Sequence, residues 1–220
     1  MKPHGLIGDE WLVSYAAGAL SNVHALTIAS HVSYQPEMQE KIRAAEAIGG
    51  DILCQEETAA ISETLLAETL AKLDHHETEQ EAAINKEASN TDTDIPSCLR
   101  DYLGANLDDL NWKLMGPGMH QVKLATGPEG EKLWLLRARG GTIIPEHDHR
   151  GTEMTLVLRG SYHVGSDHYT PGLIEIADAD VLNHQPMIDE GEDCICLVVT
   201  EAPIKLKSFI GRMVQPFIGL

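Results

Sequence analysis

The chain has 220 residues, enough to bury one large core or two small ones. Its 34 acidic residues outnumber 16 basic ones, and the resulting net charge of −18 argues against direct binding to nucleic acid, which needs clustered lysine and arginine. No apolar run reaches the roughly 18 residues that could span a bilayer, and Asp9 and Glu10 interrupt the stretch where a signal peptide needs its apolar core. The composition predicts a globular, cytoplasmic protein.

The N-terminal part, residues 1–85, has the apolar spacing of a small helical bundle. Pro36 in a first turn and Gly49-Gly50 at a stop mark the third helix, and Ser21 or Asn22 caps the second. The predicted helices run over about residues 9–19, 22–34, 36–50 and 57–76. The fourth is amphipathic, with an apolar face formed by Ile61, Leu65, Leu66, Leu70 and Leu73.

A polar, acidic linker is predicted over residues 86–97, at the end of a longer acidic stretch. Between Glu37 and Asp94 there are 15 acidic and 4 basic residues, a local net charge of −11. Two interpretations stay open, a solvated helical face with a self-repelling tether, or a surface that docks an electropositive protein partner.

Residues 98–220 change to short segments rich in β-branched and alternating residues, separated by turns every 8 to 12 positions. This spacing favours an all-β sandwich or barrel, because no helical crossovers of the kind that join parallel strands are present. Cys194 and Cys196 share one face of a strand and are predicted to be reduced core residues. The predicted fold class is α+β, a helical bundle followed by an all-β barrel.

The segment GTIIPEHDHRGTEMTLVLRG, residues 141–160, carries the chemistry. On a strand, His147 and His149 project to the same face, and Glu153 follows across a tight turn. His184 comes after a later strand and turn, where a barrel brings it opposite the other three. Three imidazoles and one carboxylate predict a site for one divalent transition ion, with zinc favoured and iron or manganese as alternatives.

The number of protein ligands bears on what this site does. Four ligands around tetrahedral zinc close the site, which suits structure or sensing, whereas five- or six-coordinate iron or manganese leaves positions open for substrate or oxygen. His163 and His168 lie between the two halves of the motif and are secondary candidates for lining the site. No catalytic acid or base is predicted.

The segment from Gly141 to Gly160 resembles the first motif of the cupins, small β-barrels that hold a metal inside. The second cupin motif fits less closely, because Pro171-Gly172 lies 12 residues before His184. The resemblance nevertheless implies His184 as the fourth ligand and a jelly-roll barrel for residues 98–220.

Together with HGLIGDEWLVSYAAGAL and IASHVSYQPEMQEKIRAAEAIGG at the N-terminus, the chain resembles the ChrR-type zinc-dependent anti-sigma factors. The resemblance implies that the helices bind an extracytoplasmic-function sigma factor and that the barrel senses a stress signal. Two alternatives remain, a cupin-fold metal-dependent enzyme such as a dioxygenase, and a metal- or ligand-binding module without sigma-factor binding. A homodimer is also expected from the cupin resemblance.

The N-terminal zinc site of that family departs from its pattern in this chain. The family uses an early histidine and H-x3-C-x2-C, and His4 and His31 match the histidines, whereas Gln35 and Met38 stand at the cysteine positions. Neither side chain supplies the thiolate charge that makes tetrahedral zinc tight. The sequence therefore predicts that this zinc is lost and that apolar packing replaces it.

Overall fold

The computed structural model describes residues 4–72, 95–203 and 205–206, and it confirms a helical N-terminal part followed by an all-β barrel. The helices are α1 (Asp9–Ala16), α2 (Asn22–Ser33), α3 (Pro36–Leu53), α4 (65–72) and α5 (Ser97–Leu103), with a 3₁₀ turn at Leu107–Asp109. Among the described helices, none combines the length and apolar character that crossing a membrane requires.

The predicted ends of two helices were wrong. Helix α1 stops at Ala16 rather than near Ala19, because Gly18 takes a left-handed conformation with φ of 65°. Helix α3 begins at Pro36 as predicted but continues through Gly49 and Gly50 to Leu53. Neither glycine adopts the positive φ that ends a helix, so the pair only weakens the helix locally.

The predicted fourth helix is shorter in the described residues, where residues 57–62 are not helical and α4 begins at 65. The side chains of its predicted apolar face are exposed in the described structure. The exposed side chains are Ile61, Leu65, Leu66 and Leu70, with Leu73 lying outside the described residues. Most of the predicted linker, residues 86–97, also lies outside them, while Ile95 and Pro96 are buried and Ser97 begins α5.

The barrel consists of three antiparallel sheets. A six-stranded sheet has the order β1-β2-β3-β10-β5-β8, a three-stranded sheet β7-β6-β9, and a two-stranded sheet β11-β4. The strands are β1 (Lys113–Gly116), β2 (Met119–Thr126), β3 (Lys132–Ala138), β4 (His147–Asp148), β5 (Glu153–Arg159), β6 (Tyr162–Val164), β7 (Asp167–Tyr169), β8 (Ile174–Ala177), β9 (Met187–Ile188), β10 (Cys194–Thr200) and β11 (Lys205–Leu206).

Strand β10 has an apolar sequence because both of its faces are covered. Its residues at 195, 197 and 199 join a core that also contains Ile28 and Val32 of α2. Its residues at 194, 196 and 198 join a second core inside the barrel, with Trp134 and Tyr162. The helices therefore pack on the outer face of the six-stranded sheet, and one strand carries both cores.

Helix α2 is held against the barrel by polar contacts as well as by apolar burial. The fully buried His31 donates through Nδ1 to the carbonyl oxygen of Gly172 at 2.9 Å. Gln35, just beyond the helix, donates to the same oxygen at 3.4 Å. Gly172 has a φ of 87°, and a Cβ there would lie 2.8 Å from the side chain of Tyr34. The turn before β8 is thus shaped to receive the end of α2.

We expect Gly172→Ala to destabilise the fold more than Gly130→Ala does. Both glycines have a left-handed φ, near 87° and 95°, so each alanine costs about 1–2 kcal/mol in backbone strain. At Gly130 nothing lies within 4 Å of the new Cβ, whereas at Gly172 it meets Tyr34, which adds about 1–3 kcal/mol of overpacking. Thermal unfolding should register about 2–4 °C per kcal/mol. Equal Tm losses would show that the Tyr34 contact contributes nothing.

Candidate metal centre

The four residues singled out from the sequence arrive from three segments of the barrel. His147 lies in β4, His149 follows it, and Glu153 begins β5. His184 is brought opposite by a pair of backbone hydrogen bonds, each 3.0 Å, between the N–H and carbonyl groups of His147 and His184. Asn183, immediately before it, adopts a positive φ of 57°, which turns the chain into this bridge.

The ligand atoms of these four side chains lie within 4.8 Å of one another. His184 Nδ1 is 3.2 Å from His147 Nε2 and 3.1 Å from His149 Nε2. Nitrogens bound to one tetrahedral zinc lie about 3.3 Å apart, given Zn–N bonds of about 2.0 Å. The three imidazoles, all buried, are therefore spaced as ligands of one ion would be.

The second nitrogen of two rings is tied to the barrel, which leaves the other nitrogen facing the cluster. His147 Nδ1 lies 2.9 Å from the carbonyl oxygen of Pro145, and His184 Nε2 lies 3.0 Å from Glu175 Oε1. Such partners fix ring orientation and tautomer in metal sites. The other oxygen of Glu175 accepts a hydrogen bond from the buried Tyr162 hydroxyl at 2.8 Å.

Glu175 was missed by the sequence reasoning, although it left a signal. It stands between Ile174 and Ile176 in a strand with an apolar sequence, and it is itself buried. A carboxylate in such a place needs a partner, because burying an unpaired charge is costly. His184 and Tyr162 are those partners, 9 and 13 residues away along the chain.

Burial keeps two of the rings ready to coordinate. It lowers the pKa of His147, and it lowers the pKa of His149 to about 4, so both keep a free lone pair at neutral pH. Burial also opposes protonation of His184, but the Glu175 carboxylate outweighs it and raises the pKa of that ring. Burial raises the pKa of Glu153 to about 7, which a nearby cation would reverse.

The cluster opens into a cavity in the barrel of about 60 Å³, room for a few water molecules at about 10–15 Å³ each. Cys194 and Cys196 line it, with their sulfur atoms 3.6 Å apart, and both are free thiols. The Cys194 contact and burial raise the pKa of Cys196, so that thiol stays protonated. The two cysteines are core residues, as predicted.

The secondary candidates, His163 and His168, do not join the cluster. His163 Nδ1 lies 3.0 Å from one oxygen of Asp189, and His168 Nε2 lies 2.6 Å from the other. The Ser161 hydroxyl and these two rings hold the pKa of Asp189 at about 2. His163, His168 and Asp189 form a separate polar cluster beside strands β6, β7 and β9.

The residues at the N-terminal zinc positions do not fit zinc. His31 and Gln35 both contact the Gly172 carbonyl, Met38 is packed in the apolar core, and His4 lies 2.9 Å from the carbonyl oxygen of His168. Within the described structure, the buried Nε2 of His31 has no hydrogen-bond partner. With no thiolate present, nothing supplies the charge of a tight tetrahedral site. Packing against the barrel takes its place.

The fold and this arrangement define a class, a cupin barrel with a candidate metal centre of three histidines and one glutamate, preceded by helices. Residues 101–203 match the family model of the ChrR cupin-like domain. The chain is 39% identical over 213 residues to the anti-sigma-E factor ChrR of Cereibacter sphaeroides, covering 96% of both chains.

The solved structures include a close match of similar extent. The crystal structure of Rhodobacter sphaeroides SigE in complex with the anti-sigma ChrR matches with a TM-score of 0.75 and 34% identity, covering 90% of this chain and 98% of that one. The chain belongs to the ChrR family, as the N-terminal and cupin motifs predicted. The comparisons favour a regulator over a metal-dependent enzyme.

We expect protein purified without chelator to carry one divalent ion per chain rather than two. Replacing His147 and His149 together with alanine should remove it, because two of four ligands are lost. The matched control replaces His163 and His168, which lie outside the cluster, and should keep the metal. Inductively coupled plasma mass spectrometry gives the stoichiometry. Two ions per chain would contradict the prediction that Gln35 and Met38 leave no zinc site in the helical part. Metal retained by the variant without His147 and His149 would place the metal centre elsewhere.

We also expect His31 to make stability fall with acid. Burial lowers its pKa from 6.5 to about 4, so between these values the unfolded chain binds the proton that the folded chain excludes. Its contribution is complete above pH 6.5 and is lost towards pH 4, at up to about 1.4 kcal/mol per pH unit. His31→Asn, which keeps a donor near Gly172, should flatten the pH dependence measured by urea unfolding. Identical slopes in the variant and the parent protein would refute the effect.

Proposed function

We propose that this chain is an anti-sigma factor whose helical part sequesters a sigma factor and whose barrel holds a divalent metal as a sensor. The observation that carries the proposal is the 39% identity to an anti-sigma factor over nearly the whole chain. The match in structure to a ChrR chain crystallised with SigE supports it, because the match includes the helices as well as the barrel. A partner of this kind acts in the cytoplasm.

The exposed surface of the helical part suits a protein partner. Apolar side chains gather at the end of α3 and around α4, namely Ile48, Ile52, Leu53, Ile61, Leu65, Leu66 and Leu70. They lie within the acidic stretch of residues 37–94. Exposed apolar groups rimmed by one sign of charge are typical of an interface with a partner of opposite charge. A sigma factor with a partly basic, partly apolar surface matches this chemistry.

The metal of the barrel is proposed to be zinc, held by His147, His149, Glu153 and His184. Four protein ligands complete a tetrahedral shell, so zinc would close the site to substrate, in keeping with sensing rather than catalysis. When bound, the ion supplies positive charge that fixes three rings and one carboxylate in place. The residues of the chain orient those ligands through the Pro145 carbonyl and the Glu175 carboxylate.

Co-expression with each extracytoplasmic-function sigma factor of the source organism tests the proposal. We expect one stable complex by size-exclusion chromatography, and Leu66→Glu should weaken it at least about tenfold, because a charge enters an apolar contact. Leu114→Glu is the matched control, since Leu114 on the barrel is 73% exposed and Leu66 is 69% exposed. If no sigma factor forms a complex with the chain, the proposed anti-sigma function is wrong. If Leu66→Glu and Leu114→Glu lose the same affinity, the apolar surface around α4 is not the interface.

A further inference from the structure

Glu201 holds the segment that supplies two of the candidate ligands. It follows β10 directly, and its Oε2 accepts a hydrogen bond from the N–H of Thr152 at 2.8 Å. Its own N–H donates to the carbonyl oxygen of Thr152 at 3.0 Å. Thr152 lies within residues 149–153, here named the ligand loop, which begins at His149 and ends at Glu153. Two hydrogen bonds therefore fix the ligand loop to Glu201.

The other oxygen of the same carboxylate faces helix α2. Glu201 Oε1 lies 3.5 Å from Nε2 of His24, a separation longer than a good hydrogen bond but within ion-pair range. The His24 ring is only 8% exposed and stacks on Trp11 with 5.6 Å between ring centroids. Its Nδ1 lies 2.9 Å from the Ser21 hydroxyl. The ring is thus fixed within the helical part and presents one nitrogen to the barrel.

A second carboxylate lies at this junction without reaching the ligand loop. Glu131, in the turn between β2 and β3, lines the same surface depression as His24 and Glu201. It is buried, and its Oε2 accepts a hydrogen bond from the N–H of Glu129 at 2.9 Å. Its contacts are with its own turn and with the start of α2. Glu201 therefore combines a charge at the junction with a hydrogen bond to the ligand loop, whereas the hydrogen bond described for Glu131 lies within its own turn.

We propose that Glu201 is a positioning residue that couples the ligand loop to helix α2, so that metal loading of the barrel changes how firmly α2 is docked. This inference rests on the proposed metal centre. An ion held by His149 and Glu153 would restrain the ligand loop and with it the Thr152 amide. The Glu201 carboxylate, which is hydrogen-bonded to that amide, would move with it, and its distance to His24 would change. The His24 ring is buried whereas the Glu201 carboxylate is exposed, and because the contact is electrostatic its strength depends on the distance between the two groups.

Two substitutions separate anchoring from transmission. Glu201→Ala removes both side-chain contacts, so zinc affinity should fall about tenfold, in the range found when outer partners of metal ligands are lost. His24→Phe keeps a ring against Trp11 but has no nitrogen for Glu201, so zinc affinity should stay within about threefold. Glu131→Gln, the matched control, removes a charge at the junction and should leave zinc affinity within about twofold. Competition with a chromophoric chelator measures all four proteins.

Hydrogen exchange of the full chain, with and without zinc, gives the second measurement. In the parent protein, zinc should slow exchange in the ligand loop and in residues 22–33 of α2. In Glu201→Ala and His24→Phe the zinc effect on α2 should be lost, while His24→Phe keeps it in the ligand loop and Glu131→Gln keeps both. A purely structural defect would instead change α2 exchange equally in the loaded and free proteins, which circular dichroism and Tm would also register.

The outcomes distinguish the two proposals. An α2 response to zinc that survives in Glu201→Ala, or an equal loss in Glu131→Gln, overturns the coupling and leaves the metal centre standing. A parent chain that binds no zinc overturns both. A chain that binds no sigma factor but keeps the Glu201-dependent response of α2 overturns the anti-sigma function alone.

Discussion

Burial of strand β10 on both faces is the constraint on which the rest of the structure depends. Alternate side chains of a strand point to opposite faces, so seven consecutive buried residues require cover on both sides. The helices supply one cover and the three-stranded sheet the other. The candidate metal centre opens into the inner cavity, and α2 lies against the outer face of the sheet. Strand β10 therefore lines the cavity with one face and contacts α2 with the other. Glu201, at the end of that strand, contacts both sides.

The sequence predicted the features that depend on residues close together along the chain. The alternation of His147 and His149 on a strand placed both rings on one face, and the structure brings Glu153 and His184 to the same point. The helix starts at Pro36 and after Ser21 were also predictable, because proline and cap residues act within one turn. The predicted end of α1 was wrong, although Gly18, which adopts the left-handed conformation that stops a helix, was a local signal for it.

The rest depends on contacts between distant segments, which no local pattern encodes. Glu201 meets His24 only because α2 packs on the sheet, and Glu175 reaches His184 only because the irregular segment after β8 folds back on that strand. Gly49 and Gly50 were misread as a stop, because glycine permits a helix end without requiring one. The packing of α2 on the outer face of β10 could not be predicted either, because an apolar strand sequence does not show which element covers it.

The attachment of α2 at Gly172 does not depend on any side chain of the barrel as its acceptor. Its acceptor is a main-chain oxygen, which every amino acid supplies, while the left-handed φ and the nearby Tyr34 restrict the residue itself to glycine. No exchange of side chains on the barrel can therefore retune this joint. The strength of this attachment is therefore set from the helical side, by the length and polarity of the side chains at positions 31, 34 and 35.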